Sequence, residues 1–107
     1  TEENMVRLGF TVTGEMLPPH HTPADSAFVQ TLLSCYERFT GRKGECLSMG
    51  GGTYVHHIEG GVAFGPAMPG FEGNMHGANE HMDISDMLCA IKIYAAAVAE
   101  ICSAEQT

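Results

Sequence analysis

Residues 74–101, NMHGANEHMDISDMLCAIKIYAAAVAEI, join a short polar turn to a long segment with a helical repeat. From Ile84, apolar residues recur at Met87, Leu88, Ile91, Tyr94, Ala95, Val98 and Ile101, one face of a 3.6-residue period. The pattern predicts an amphipathic helix that buries this face. Asp83 is the expected N-cap, with Asp86 three residues later in a variant of the capping box. Met82 and Met87 occupy the two positions of a hydrophobic staple. The turn ahead of the helix, His76-Gly77-Ala78-Asn79-Glu80, is thereby anchored to a buried element. Such an anchor can hold an imidazole in one direction, and a metal ligand must be aimed as well as present.

Working back from the turn, residues 66–75 (PAMPGFEGNM) read as a loop over a site mouth or a partner surface. Val62-Ala63-Phe64, closed by Gly65-Pro66, reads as a short apolar strand, and Cys46-Leu47-Ser48-Met49 as another. Gly50, Gly51 and Gly52 follow the latter and permit close approach of another group to the backbone. Two readings of them stand: a strand end whose backbone contacts a substrate, or a tight turn into a short helical segment over residues 53–58. Asp25 is expected to cap a helix running to about residue 40, with Phe28, Val29, Leu32, Leu33, Tyr36 and Phe39 on its apolar face and Gly41 as its stop. Residues 10–16 alternate imperfectly, as a short strand would, and residues 1–8 read as the last turns of a helix ended by Gly9. Between them and the Asp25 helix, Pro18, Pro19 and Pro23 surround His20 and His21 in what reads as a stiff, solvated linker at a domain boundary. His56 and His57 read as surface or rim histidines, and His81 as exposed.

Short strands alternating with helices indicate an α/β fold with a partial, mainly parallel sheet. So few strands leave open edges that need partners, and the missing strands are expected from upstream sequence or from another chain; the chain reads as a fragment. The net charge of −8, from 13 acidic and 5 basic residues, argues against nucleic acid or an anionic membrane as partner. Hydrophobic content of 44% argues against disorder, and no apolar run reaches membrane-spanning length. Cys35, Cys46, Cys89 and Cys102 lack paired Cys-x-x-Cys spacing, which argues against a zinc-thiolate site. Reduced, structural cysteines fit a cytoplasmic protein.

Three motifs occur in register: Gly50-Gly51-Gly52-Thr53-Tyr54, then Gly61-Val62-Ala63-Phe64-Gly65, then His76-Gly77-Ala78-Asn79-Glu80 with its Asp-Ile-Ser-Asp helix start. Their order and spacing resemble the C-terminal end of the di-zinc metallopeptidases that include peptidase V-type dipeptidases, carnosinases and aminoacylases. The similarity runs from about Asp25 to the C-terminus and more weakly back to Gly9, and the first two motifs resemble the dipeptidase branch. The resemblance implies that residues 1–23 are the end of a lid domain and its linker, and that residues 24–107 are the last part of a zinc-peptidase catalytic domain. It implies that the complete enzyme hydrolyses the amide bond of dipeptides or short peptides with two zinc ions, of which His76 is a ligand. It further implies that the backbone of Gly52 contacts substrate. Asn79 and Glu80 are the nearest candidates to orient the His76 ring, and a carboxylate stabilised at the helix start is an equal reading of Glu80.

The family's bridging aspartate, its remaining ligands and its glutamate base belong to motifs absent from this sequence. The expectation is one zinc ligand and part of a substrate-site wall, with the rest of the catalytic domain as partner and no activity in isolation. Rival readings are a non-catalytic α/β interaction module, a small metal-binding module using His20, His21, His56, His57 and His76, and a deacylase or desuccinylase of the same family.

Overall fold

The computed structural model describes residues 1–11, 13–14 and 17–104. Among the described residues three α-helices form: α1 (Glu2–Arg7), α2 (Ala27–Thr40) and α3 (Ile84–Ala104), with a 3-10 turn at Tyr54–His57 between the last two. Residues 2–7 are helical and the helix stops at Gly9 as expected, with Gly9 in the left-handed conformation (φ 82°) and its amide donating to the Val6 carbonyl at 3.0 Å. At the other end, Thr1 Oγ1 accepts from the Asn4 amide at 3.4 Å.

Helix α2 ends where the sequence indicates, with Gly41 in the left-handed conformation (φ 68°) and its amide donating to the Glu37 carbonyl at 2.9 Å. Its start differs by one residue. Ser26, not Asp25, is the N-cap, and its Oγ accepts from the Val29 amide at 3.3 Å. A cap must sit immediately before the first helical residue to reach the third amide, and Asp25 is one position too early. The start of α3 agrees with expectation: the Asp83 carbonyl accepts from the Met87 amide at 3.0 Å.

The core lies between α2 and α3. Leu32 and Cys35 meet Ile93 and Ala97, and Tyr36, Val62, Phe64 and Met68 pack around them. Cys35 is fully buried, and its thiol is pushed up from its usual range by that burial first and by the Glu100 carboxylate second. Arg38 of α2 pairs with Glu100 of α3 at 2.6 Å, and with both side chains well exposed water screens the pair, so it adds little to stability.

The face that α3 buries is not the one its periodicity indicates. Ala90, Ile93 and Ala97 are the buried residues, whereas Ile84, Leu88, Ile91 and Val98 are 52–71% exposed. At 100° per residue the two faces are about a third of a turn apart. The helix is apolar over both, and it is Ile93 and Ala97 that meet Leu32 and Cys35 of α2. The larger stripe is left bare.

The expected sheet does not form among the described residues. Residues 46–49 and 62–64 run without strand pairing. The expected strand at 10–16 includes Val12, Glu15 and Met16, which lie outside the described residues. A strand is defined by a ladder to a neighbour, and these segments have none beside them. The radius of gyration is 18.1 Å, against about 13 Å for a compact domain of this length.

Where residues 62–64 touch the core, Tyr94 donates its hydroxyl to the Phe64 carbonyl at 2.6 Å and sets its ring edge-on to Phe64. Burial pushes the Tyr94 phenol above its ordinary value near 10. The unfolded chain therefore releases this proton first as pH rises. The stabilisation is full below about pH 10 and is lost as pH climbs through the folded-state value. Tyr94→Phe is expected to lower stability at neutral pH by about 1 kcal/mol and to flatten the alkaline loss. Urea unfolding at neutral and alkaline pH measures both.

Candidate functional site

The polar turn is a loop closed on itself. The His81 amide donates to the Gly73 carbonyl at 3.0 Å, joining the two ends. The closure is tight: a Cβ on Gly73 would lie 2.5 Å from the His81 carbonyl oxygen and 2.7 Å from Phe71 Cε1. No side chain fits there, so glycine is required at 73. Within the loop the Gly77 amide donates to the Asn74 carbonyl at 2.8 Å, which turns the chain through Met75 and His76.

His76 sits at φ 63°, flanked by Asn74 at 55° and Asn79 at 57°. Three non-glycine residues in the left-handed region within six positions concentrate backbone strain here, and asparagine and histidine are among the side chains that tolerate it best. His76, Asn79 and Glu80 are all exposed. The loop therefore presents the His76 imidazole outward from a backbone that is tied at both ends.

The sequence reading set His81 aside, yet it is the best-held imidazole in the loop. Its Nδ1 donates to the Asn79 carbonyl at 2.8 Å, and its ring meets Phe71 edge-on at 5.5 Å. The side chain nevertheless stays exposed, as the sequence indicates; the closure itself comes from the backbone of residues 73 and 81, which no local spacing announces.

Gly52 lies on a second surface, where a Cβ would approach Leu17 Cδ1 at 3.3 Å. The adjoining 3-10 turn is fixed by a capping box between Thr53 and His56. His57 is exposed, as expected, and His56 is half-buried. His20 corrects the picture of a solvated linker, since it is half-buried with its Nε2 donating to the Gly61 carbonyl at 2.7 Å. His21 is exposed.

Among the described residues, no three His, Cys, Asp or Glu side chains converge in a way that could hold a metal ion. A single outward-facing histidine does not by itself fit a zinc centre, which takes three or four protein ligands. A cleft of about 270 Å³ opens between α2, α3 and residues 64–69, lined by Tyr36, Phe64, Met68, Ile93 and Tyr94 among others. Neither His76 nor Gly52 lines it. A larger depression beside α1 is bounded only by residues of that end of the chain and is open to solvent.

Residues 7–100 match the sequence model described as Peptidase family M20/M25/M40. The chain is similar to a Beta-Ala-Xaa dipeptidase of Lactobacillus delbrueckii subsp. lactis, with 43% identity over 88 residues, covering 82% of this chain and 19% of that protein. It is 42% identical over 83 residues to a provisionally named dipeptidase, YtjP, of Bacillus subtilis (strain 168), covering 78% of this chain and 18% of the relative. A provisionally named dipeptidase of Staphylococcus epidermidis is 35% identical over 96 residues, 89% of this chain and 20% of its own length. The chain thus spans about a fifth of the length of these relatives. No solved structure matches.

Proposed function

The chain belongs to peptidase family M20/M25/M40, and from that premise we propose that it is the C-terminal part of the catalytic domain of a zinc-dependent dipeptidase, with residues 1–23 leading from a lid domain. The observation that carries this is the similarity of almost the whole chain to a protein named for cleaving β-Ala-Xaa dipeptides.

His76 supplies one ligand to a centre of two zinc ions, whose other ligands come from sequence this chain does not contain. The strained loop suits that task, since both of its ends are fixed while the ring stays accessible. Asn79 and Glu80 orient the ring, and the Gly52 backbone forms part of the wall that receives a dipeptide. Zinc in such centres polarises the amide carbonyl and lowers the pKa of a bound water. None of the remaining parts of that chemistry is assembled by these residues.

The rest of the catalytic domain is the partner. It would cover the bare stripe of Ile84, Leu88, Ile91 and Val98 and would pair the extended segments at 46–49 and 62–64 into a mainly parallel sheet. No helix of the described residues is long and apolar enough to cross a membrane. Four unpaired cysteines suit a reducing, cytoplasmic setting. The rival reading of a self-sufficient metal module lacks the converging donors it needs among the described residues.

The purified chain with zinc is the direct test. It is expected to give no hydrolysis of a β-alanyl dipeptide above a zinc-only blank, and calorimetric titration with zinc is expected to show only weak uptake, the same with His76→Ala. Turnover, or tight uptake lost on changing His76, would overturn the incomplete-site account.

A further inference from the structure

We propose that residues 17–23 are latched to the 52–61 segment through the Gly61 carbonyl, and that His20 and Thr22 are positioning residues that hold Leu17 against Gly52. Two donors converge on that one oxygen. His20 Nε2 and Thr22 Oγ1 each lie 2.7 Å from it, across 41 and 39 residues of sequence. A carbonyl oxygen has two lone pairs, so it accepts both bonds at once. Donation from Nε2 also fixes the His20 tautomer and the plane of its ring.

That ring rests on a second fixed ring. The centroids of His20 and His56 are 5.7 Å apart at 49°. His56 is held by its own turn, its Nδ1 accepting from the Thr53 amide at 3.3 Å in the capping box. The third point of attachment is Leu17, whose Cδ1 occupies the space a Cβ at residue 52 would crowd. Between these points the chain is stiff, because Pro18, Pro19 and Pro23 fix their own φ angles and push the residues before them towards extended backbone. A stiff connector pinned at Gly61 cannot shift at Leu17 independently, so the clamp sets what lies over the Gly52 backbone.

The consequence for substrate rests on the reading of Gly52 given above; the latch itself does not. If Gly52 lines the dipeptide site, the point where the lid-side chain enters the catalytic domain is mechanically tied to the site wall. His20 and Thr22 then act through the position of Leu17 and not by touching substrate.

The test compares the 107-residue chain with a His20→Ala/Thr22→Val double variant by NMR. The wild-type chain is expected to show a nuclear Overhauser contact between the Leu17 methyls and the Gly52 α-protons. The double variant is expected to lose it and to exchange the Ile58 and Gly61 amides about tenfold faster, while amides of α2 and α3 stay within about twofold. Thr22→Ser in the wild-type background, which keeps the donor, is expected to behave as wild type. Thr22→Val alone removes one donor at almost constant shape and is expected to fall between wild type and the double variant. The proposal is overturned if the contact and the exchange rates survive the double change, if α2 and α3 loosen equally, or if Thr22→Ser behaves like Thr22→Val. Neither readout involves zinc or peptide, so the latch and the dipeptidase reading fail separately.

Discussion

His76→Ala is expected to lower kcat/KM for a β-alanyl dipeptide by about a thousandfold when this chain replaces the matching 88-residue segment of the Lactobacillus dipeptidase. The figure follows from the several kcal/mol that a zinc ion contributes to transition-state charge, at about 1.4 kcal/mol per tenfold in rate. Losing a ligand removes the ion or displaces it, and either forfeits most of that contribution. Asn79→Ala and Glu80→Ala act one step further out, and the expected loss is about ten- to a hundredfold, in zinc affinity or in turnover. The unmodified chimera must first turn over zinc-dependently, and its metal content should fall with the same ranking of variants. Activity within about tenfold of the parent chimera in His76→Ala would remove this residue from the centre. If Glu80→Ala leaves zinc content and turnover unchanged but lowers helix stability, Glu80 is a helix-start carboxylate and nothing more.

Ile93→Ala is expected to destabilise the chain by about 2–5 kcal/mol, enough to abolish cooperative unfolding in a protein with so small a core. Ile93 is 3% exposed and sits between Leu32, Cys35 and Ala97, so the missing atoms leave a cavity that two helices cannot close without losing contact along their length. Val98→Ala and Ile91→Ala make the opposite prediction. At 62% and 54% exposure they should change stability by no more than about 0.5 kcal/mol in the isolated chain. Urea unfolding followed by far-ultraviolet circular dichroism separates the two faces of α3. In the chimera the order should narrow, because the stripe bearing Ile91 and Val98 then has a neighbour to pack against. Large losses at Ile91 and Val98 in the isolated chain, with little at Ile93, would mean that α3 is rotated from the orientation described.

The contrast between those faces shows how far the residues alone can be followed. The helix itself is legible, because its 3.6-residue repeat and the Asp83 start are local properties, as is the left-handed stop at Gly41 of α2. The family is legible for a similar reason. Three short motifs in fixed order need no tertiary information, and they pointed to His76 and Gly52 before any geometry was known.

Which face α3 buries was not legible. A helix apolar on two sides offers two cores, and the choice falls to whichever partner is present, here α2 against Ile93 and Ala97. The strands at 46–49 and 62–64 carry the right composition, but pairing is a property of two segments and the neighbour is not among the described residues. His20 was misjudged on the same ground. It looked like an isolated surface histidine, and its ring is fixed by the Gly61 carbonyl, which only folding brings near. His81 is exposed as read, and what only folding supplies there is the bond from its backbone amide to the Gly73 carbonyl. The sequence by itself therefore determined the helices, the stop of α2 at Gly41, the start of α3 and the family, which depend on neighbours along the chain. Only the tertiary structure decided the buried face, the closed loop and the latch, because each depends on contacts between segments whose separation in sequence says nothing about their separation in space.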